Sequence, residues 1–342
     1  MKRKVSLVLT AILLVSGISV PTQAKVGIKS GVKCAHLGQT VTVAKKRFGC
    51  RRSGANLVWR YLGPAPTSKP IDKLLWSEEF NAPVGAAPTP SRWTALLGDG
   101  SEQLGLWSYG TGEIELNRAN AAATDGSGNL VISANKTNGT WTSARYWTHG
   151  KVNFQYGKLE ARIKMPVGSF NWPAFWMLGA NYQPPNQSFG TTEWPNSGEI
   201  DIAEGLNGNS LFNSTIHANN PGTFTDWNGG GGLSAASNLE NASDGYHTFG
   251  LIWKPNSITF TLDGLVFGSN RLAGNYVIQS IAGIDFNEFY CGGVWPFNKP
   301  FFILLNNAIN SGASDAPDGT NSQMLVDWIR YSSYQGYGRV TK

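Results

Sequence analysis

Apolar and polar residues alternate along most of this chain in short runs, and clusters of Gly, Asn, Pro and Ser separate the runs. "KLEARIKM" (158–165) alternates fully, "STIHA" (214–218) alternates through its centre, and "NWPAFWML" (171–178) spaces two tryptophans evenly. A period of two marks strands with one buried face, and no long stretch of 3.6-residue period competes with it. The pattern predicts an all-β protein.

The alternation gives way first at the N-terminus. Lys2, Arg3 and Lys4 lead into an apolar run from Val5 to Val20, followed by Thr22 and Ala24. This is the layout of a secretory signal peptide, and the run is too short for a stable membrane span. Residues 1–24 are therefore expected to be cleaved and the protein secreted, with a retained membrane anchor as the alternative. No second long apolar run follows, so no membrane association is expected after cleavage.

A small basic module is expected over residues 25–62. Two β-like runs, "TVTV" (40–43) and "NLVW" (56–59), flank turn signals there, and Cys34 and Cys50 lie 16 residues apart. An exported module this small can bury little core, so a Cys34–Cys50 disulfide is predicted. The spacing is not that of a metal site, and His36 alone does not make one. A Pro-rich linker at 63–71, containing "GPAPTSKP", leads to a main domain over 72–335 and a tail at 336–342.

Charge sharpens this division. The formal net charge of +6 conceals ten Lys or Arg and no acid in residues 25–70. From Ile71 onward, 15 basic residues face 22 acidic ones, a net of −7. The overall basicity thus gives no reason to expect a nucleic-acid partner. The basic module suits an anionic cell-wall polymer, or is simply a solvated spacer.

Within the main domain "GEIDIAEG" (198–205) gathers three carboxylates in an apolar stretch. Glycines bound it and β-formers fill it, so it reads as a strand with Glu199 and Asp201 on one face and Ile200 and Ile202 on the other. Strict alternation would bury Glu204 beside the isoleucines, an expensive place for an unpaired charge. A one-residue β-bulge resets the phase and returns Glu204 to the acidic face. Otherwise the strand ends at Ala203.

Clustered carboxylates push each other's pKa values apart, which suits a general acid working beside an ionised partner. Glycoside hydrolysis uses such a pair, at roughly 5–5.5 Å for retention and about 6.5–9.5 Å for inversion. On a straight strand the Glu199 and Glu204 Cα atoms would be about 13–16 Å apart, so spacing alone leaves the outcome open. A solvent-facing acidic strand paired with lysines is the plain alternative. The second acidic pair, Glu113 and Glu115, lacks a third member and an aromatic frame and reads as structural.

Trp172, beside a proline and a Gly-Ser-Phe-Asn loop, is expected to face a cleft, where an indole can lie against a sugar ring. Trp176, followed by "MLG", is expected in the core. Thr215 and His217 share a strand face, from which His217 could reach a sugar or a catalytic acid. Cys291 in "EFYCGGVWPF" reads as a buried free thiol.

At this point the sequence resembles glycoside hydrolase family 16, in its laminarinase-like (endo-β-1,3-glucanase) branch. The matching segments run in order: "LLWSEEFN" (74–81), "GNLVISANK" (128–136), the stretch from "TSAR" to "NWPAFWMLG", and "GEIDIAEG". "YHTFGLIWKPNSITFTLDG" (246–264), "WPFNKPFFILLNNAI" (295–309) and "MLVDWIRYSSY" (324–334) complete the series, which covers about 72–335. The resemblance implies a concanavalin A-like β-jelly-roll sandwich with a concave substrate cleft, on a chain expected to be a monomer. It implies Glu199 as nucleophile, Asp201 as the carboxylate tuning it, and Glu204 as general acid/base. It also implies substrate contacts from Trp172, His217, Arg145 and Asn120. No cofactor is required for the chemistry. A structural calcium is implied on the convex side through Asp327 of "VDWIRY", an oxygen-only site suiting that ion.

This chain departs from the family pattern in its loops. "LGLWSYGTGEIEL" replaces a common G-W-G-N run, the 181–197 loop that carries Trp194 is long, and "WNGGGGLSAASN" (227–238) is glycine-rich. Trp194 is a further candidate for substrate contact. The expected activity is a secreted, retaining endo-hydrolase of β-1,3 or mixed β-1,3/1,4-glucan. The same chemistry on a galactan such as agar, a cell-wall transglycosylase, and a non-catalytic carbohydrate-binding protein are the alternatives.

Overall fold

The computed structural model describes residues 28–64, 71–166, 168, 170–205, 212–218 and 245–342. The expected signal peptide, most of the linker and the glycine-rich 227–238 loop lie outside the described residues. The chain divides into two compact units, residues 1–69 and 70–342.

In the first unit, β1 (Thr40–Val43), β2 (Lys46–Ser53) and β3 (Asn56–Pro64) form an antiparallel sheet in the order β1-β2-β3. Phe48, Cys50 and Trp59 bury one face of it. A Cys34–Cys50 disulfide ties the preceding loop onto that face, with Cα atoms 5.8 Å apart. A core with two large buried side chains is too small to hold a fold by burial alone, which gives the crosslink its purpose.

The second unit begins with β4 (Leu74–Glu78), β5 (Thr94–Leu96), β6 (Leu116–Asn117), β7 (Ala122–Thr124), β8 (Leu130–Thr137) and β9 (Thr140–Ser143). Next come β10 (Arg145–Trp147), β11 (Asn153–Gln155), β12 (Gly157–Lys164), β13 (Asn171–Gly179), β14 (Glu199–Gly205) and β15 (Phe212–His217). The last are β16 (His247–Lys254), β17 (Ser257–Leu262), β18 (Leu265–Ala273), β19 (Tyr276–Ile281), β20 (Ile284–Tyr290), β21 (Phe301–Ile309), β22 (Asn321–Ser332) and β23 (Arg339–Thr341).

Two sheets result. One runs β15-β14-β13-β21-β10-β5, with β11 bridging β21 to β23. The other runs β20-β19-β18-β17-β16-β12-β22-β8-β9-β6, with β4 on β22 and β7 on β8. Their facing sides share one core. Phe175, Ile200 and Ile303 come from the first sheet, and Leu159, Trp253 and Val326 from the second. The "KLEARIKM" alternation is realised in β12, where Leu159, Ala161 and Ile163 are buried and the charged residues between them are not. The fold is the expected all-β sandwich.

Two sequence expectations change here. Residues 336–342, expected as a tail, contribute β23, and the Arg339 N–H donates to the Tyr331 hydroxyl at 2.8 Å. Trp176 is only part-buried and belongs to the outer face of β13, in phase with Trp172. Cys291 is a buried free thiol, as expected, its Sγ donating to the Asn275 carbonyl.

Candidate active site

The three carboxylates of β14 lie on the outer face of the first sheet because the strand is bulged. Opposite it on β13, Trp176 faces Asp201, Phe175 faces Ala203 and Ala174 faces Glu204, so Ile202 has no partner. Ile202 and Ala203 are both buried in the core, and Glu204 emerges on the side of Glu199 and Asp201. The register with β15 slips at the same place, between Asp201 and Glu204. There the Ser214 hydroxyl donates to the Ile202 carbonyl at 2.7 Å, supplying a partner where the regular ladder is broken.

Each acid has its own neighbour. Trp172 Nε1 donates to Glu204 Oε1 at 2.6 Å, and Trp194 Nε1 donates to Glu199 Oε2 at 2.9 Å. His217, directly across from Glu199 on β15, brings Nε2 to 3.2 Å from Asp201 Oδ2. Thr215, across from Asp201, is buried beside it. Trp172 sits where a strand residue two before Ala174 must sit, and Trp194 descends from the 181–197 loop.

That loop is pinned at its base. Asn181 Nδ2 donates to Thr192 Oγ1 at 2.7 Å, and the Gly190 N–H donates to Gln183 Oε1 at 2.9 Å. A Cβ on Gly190 would lie 1.9 Å from the Tyr182 carbonyl oxygen, so only glycine closes this turn.

The carboxylates open into a cleft of about 340 Å³. Trp172, Trp176, Tyr182 and Trp194 supply its aromatic walls, and Asn306 and Ala308 of β21 its floor. Apolar walls with a few convergent polar groups are what a carbohydrate or other small polar ligand needs. Burial pushes Glu204 up to about 7, with repulsion from Asp201 adding to it and the Trp172 bond and His217 opposing it. Glu199 is raised for the same two reasons, burial first and Asp201 second. The site therefore holds a proton near neutrality, as paired carboxylates with separate tasks require.

Arg145 also lines the cleft, but its guanidinium is committed to protein. It is 5% exposed, pairs with Glu113 at 2.6 Å, and stacks 4.1 Å from the Tyr109 ring centroid. The expected substrate-side arginine is thus held first by Glu113. Glu113, expected to be structural, is buried in this ion pair and also belongs to the cleft lining with Tyr109 and Trp176. Glu115, 1% exposed, accepts the Ile309 N–H at 2.8 Å and is pushed up to about 8 by burial and by Glu113.

Asn120 is not brought to this cleft. It lies exposed in the single turn Ala119–Ala121 that leads into β7 of the other sheet.

Asp327 does lie on the other sheet, yet Arg162 Nη1 hydrogen-bonds its Oδ2 and stacks over Tyr246 at 4.3 Å. Among the described residues the three-residue set with ligating atoms within 4.8 Å is Glu199, Asp201 and His217, in the cleft itself.

Trp176, expected in the core, donates from Nε1 to Asn306 Oδ1 at 2.7 Å on the cleft floor, and Asn306 carries no sequence expectation. The signals were the even spacing from Trp172 and the polar pair interrupting an apolar strand in "FFILLNNAI".

A β-sandwich carrying three acids on the outer face of one sheet, at the foot of an aromatic cleft, defines a glycoside hydrolase. The model of glycosyl hydrolases family 16 matches residues 111–296, and the chain belongs to that family. It is 28% identical to a beta-glucanase of Rhodothermus marinus over 75% of this chain and 84% of that protein. It is 34% identical to a glucan endo-1,3-beta-glucosidase of Cryptopygus antarcticus over 69% of this chain and 80% of that protein. Among solved structures, the catalytic domain of an endo-1,3-beta-glucanase (laminarinase) from Thermotoga petrophila RKU-1 superposes with a TM-score of 0.58 at 28% identity. That match covers 77% of this chain and 98% of the other.

Proposed function

We propose that this protein is a retaining endo-glycoside hydrolase of β-1,3 or mixed β-1,3/1,4-glucan, with Glu199 as nucleophile and Glu204 as general acid/base. The observation that carries this is the pair of indole N–H bonds that hold two acids of one bulged strand in a single cleft. The relatives named for β-glucan hydrolysis support the choice of sugar.

In the first step the Glu204 carboxylic acid gives its proton to the glycosidic oxygen as the Glu199 carboxylate attacks the anomeric carbon. The aglycone leaves and a glycosyl ester forms on Glu199. In the second step the Glu204 carboxylate removes a proton from water, whose oxygen attacks the anomeric carbon and releases Glu199. Asp201, backed by His217, repels a second negative charge and keeps the proton on the site until it is used.

The test is reducing-sugar release from laminarin, lichenan, agarose and carboxymethylcellulose in parallel, with Glu199→Gln as the blank. Proton NMR of the first product anomer accompanies it. Laminarin hydrolysis that yields the β-anomer and vanishes in the blank is expected. Release of the α-anomer would overturn retention. Release from agarose alone would move the substrate to galactans.

A further inference from the structure

Residues 25–70 carry ten Lys or Arg and no acid, and the fold of the first unit sorts part of that charge onto one face. Side chains alternate along β2. Phe48 and Cys50 are buried with Trp59, so Arg47, Gly49 and Arg51 point the opposite way. Arg60 of β3 stands directly across from Gly49 and shares that open face. Arg47 and Arg51 are four residues apart, about 13 Å at ~3.3 Å per residue, with Arg60 across from their midpoint.

Gly49 makes this face possible. A Cβ there would come within 2.8 Å of Leu62 Cδ1 and 3.3 Å of the Arg51 guanidinium carbon, so the missing side chain lets both lie over the strand. All three arginines are exposed. Arg51 donates to the Cys50 carbonyl and Arg60 to the Ser53 hydroxyl, which leaves most of each guanidinium's five donors unspent. Among the described residues none of the three has a carboxylate within ion-pair distance. Three unneutralised guanidinium forks on one face are a match for repeated carboxylates or phosphates.

We propose that this face binds a linear anionic glycan polymer, one that carries carboxylates or phosphates along a non-aromatic backbone. The arrangement disfavours nucleic acid. Proteins that bind single strands stack bases on aromatic side chains of the binding face. Here Phe48 and Trp59 are buried on the other side, where Tyr61 also sits with its ring 5.7 Å from that of Phe48. The inference does not depend on the hydrolase reading, since it concerns a separate unit and a charged rather than neutral polymer.

The test uses the complete chain with three probes: polygalacturonate, a phosphomannan and single-stranded DNA, each at low and moderate salt. Arg47→Gln/Arg51→Gln/Arg60→Gln is compared with Lys29→Gln/Lys45→Gln/Lys46→Gln, which removes equal charge from the segments before β1 and β2 and from the side of β2 that carries Phe48. We expect the parent to bind at least one glycan probe and the arginine triple to lose at least about tenfold. Its log-affinity against log-salt slope should fall by about 2, since each of the three lost contacts releases roughly 0.7 counterion fewer on a single-stranded polyanion. The lysine triple should lose less than threefold, by the same electrostatic reasoning applied off the face. Both triples should keep the parent's melting midpoint and its activity on a soluble substrate. Should the arginine triple melt early, Arg60→Gln alone decides the matter through a partial loss of about two- to threefold. No binding to either glycan, tighter binding to DNA than to both, or equal loss in the two triples would each overturn the proposal.

Discussion

Trp172 on β13 and Glu204 on the neighbouring β14 are joined by a 2.6 Å hydrogen bond from the indole nitrogen to the carboxylate. One tryptophan thus supplies both a wall of the cleft and a donor that steadies the ionised form of an acid. The bond draws the Glu204 pKa down while burial and Asp201 drive it up.

Trp172→Phe separates these two contributions. It keeps an aromatic wall and removes the donor, so the Glu204 pKa should rise further. The descending basic limb of the activity–pH profile, set by deprotonation of the acid, should move to higher pH. A pH–rate series on laminarin checks this, and a limb that moves down would contradict it.

Glu204→Gln should abolish nearly all hydrolysis yet stabilise the fold above neutrality. With a pKa of about 7 against an ordinary value of 4.5, the folded protein holds a proton that the unfolded chain has released over that window. Stability therefore falls as pH rises from about 4.5 to 7, and it stays lower above that. Removing the titration should raise stability at pH 8 by about 1–3 kcal/mol and leave little gain below pH 4.5. Denaturant melts at pH 4 and pH 8 give the comparison.

Trp194→Phe acts on the other acid. Losing the indole donor should raise the Glu199 pKa, so the ascending acid limb of the profile should shift upward. The melting temperature should hardly change, because this tryptophan is 46% exposed. A fall of many degrees would mean that the 181–197 loop depends on Trp194 for its place.

Arg145→Leu should be costly in stability, beyond any effect on substrate. It would leave Glu113, 3% exposed, without its cation and beside the buried Glu115. Breaking one side of a buried pair costs about 3–5 kcal/mol. Thermal melts of Arg145→Leu and of the double variant Arg145→Leu/Glu113→Leu decide it, since the double should regain much of the loss.

The acidic strand was legible because its grammar is local. Alternation, bounding glycines and one residue too many are enough to demand a bulge, and the bulge falls at Ile202. Trp176 was misread for an equally physical reason. In β13 the residues after Ala174 are apolar on both faces, so neighbours along the chain do not say which side an indole takes. The cleft position of Glu113 is hidden in sequence because its partner, Arg145, lies 32 residues away. Asn120, implied at the site by the resemblance, lies in the single turn that precedes β7 of the other sheet.

The positions of β21 and β22 bear on how the molecule comes into being. β21 lies between β13 and β10, and β22 between β12 and β8, so both sheets are completed through their middles by residues after 300. A chain emerging from the ribosome has all three acids long before it has a floor for them. Until Phe301–Ile309 arrives, the inner strands of the acid-bearing sheet expose open edges instead of pairing with each other. The acid-bearing sheet thus closes only once residues well downstream of its three acids have been made.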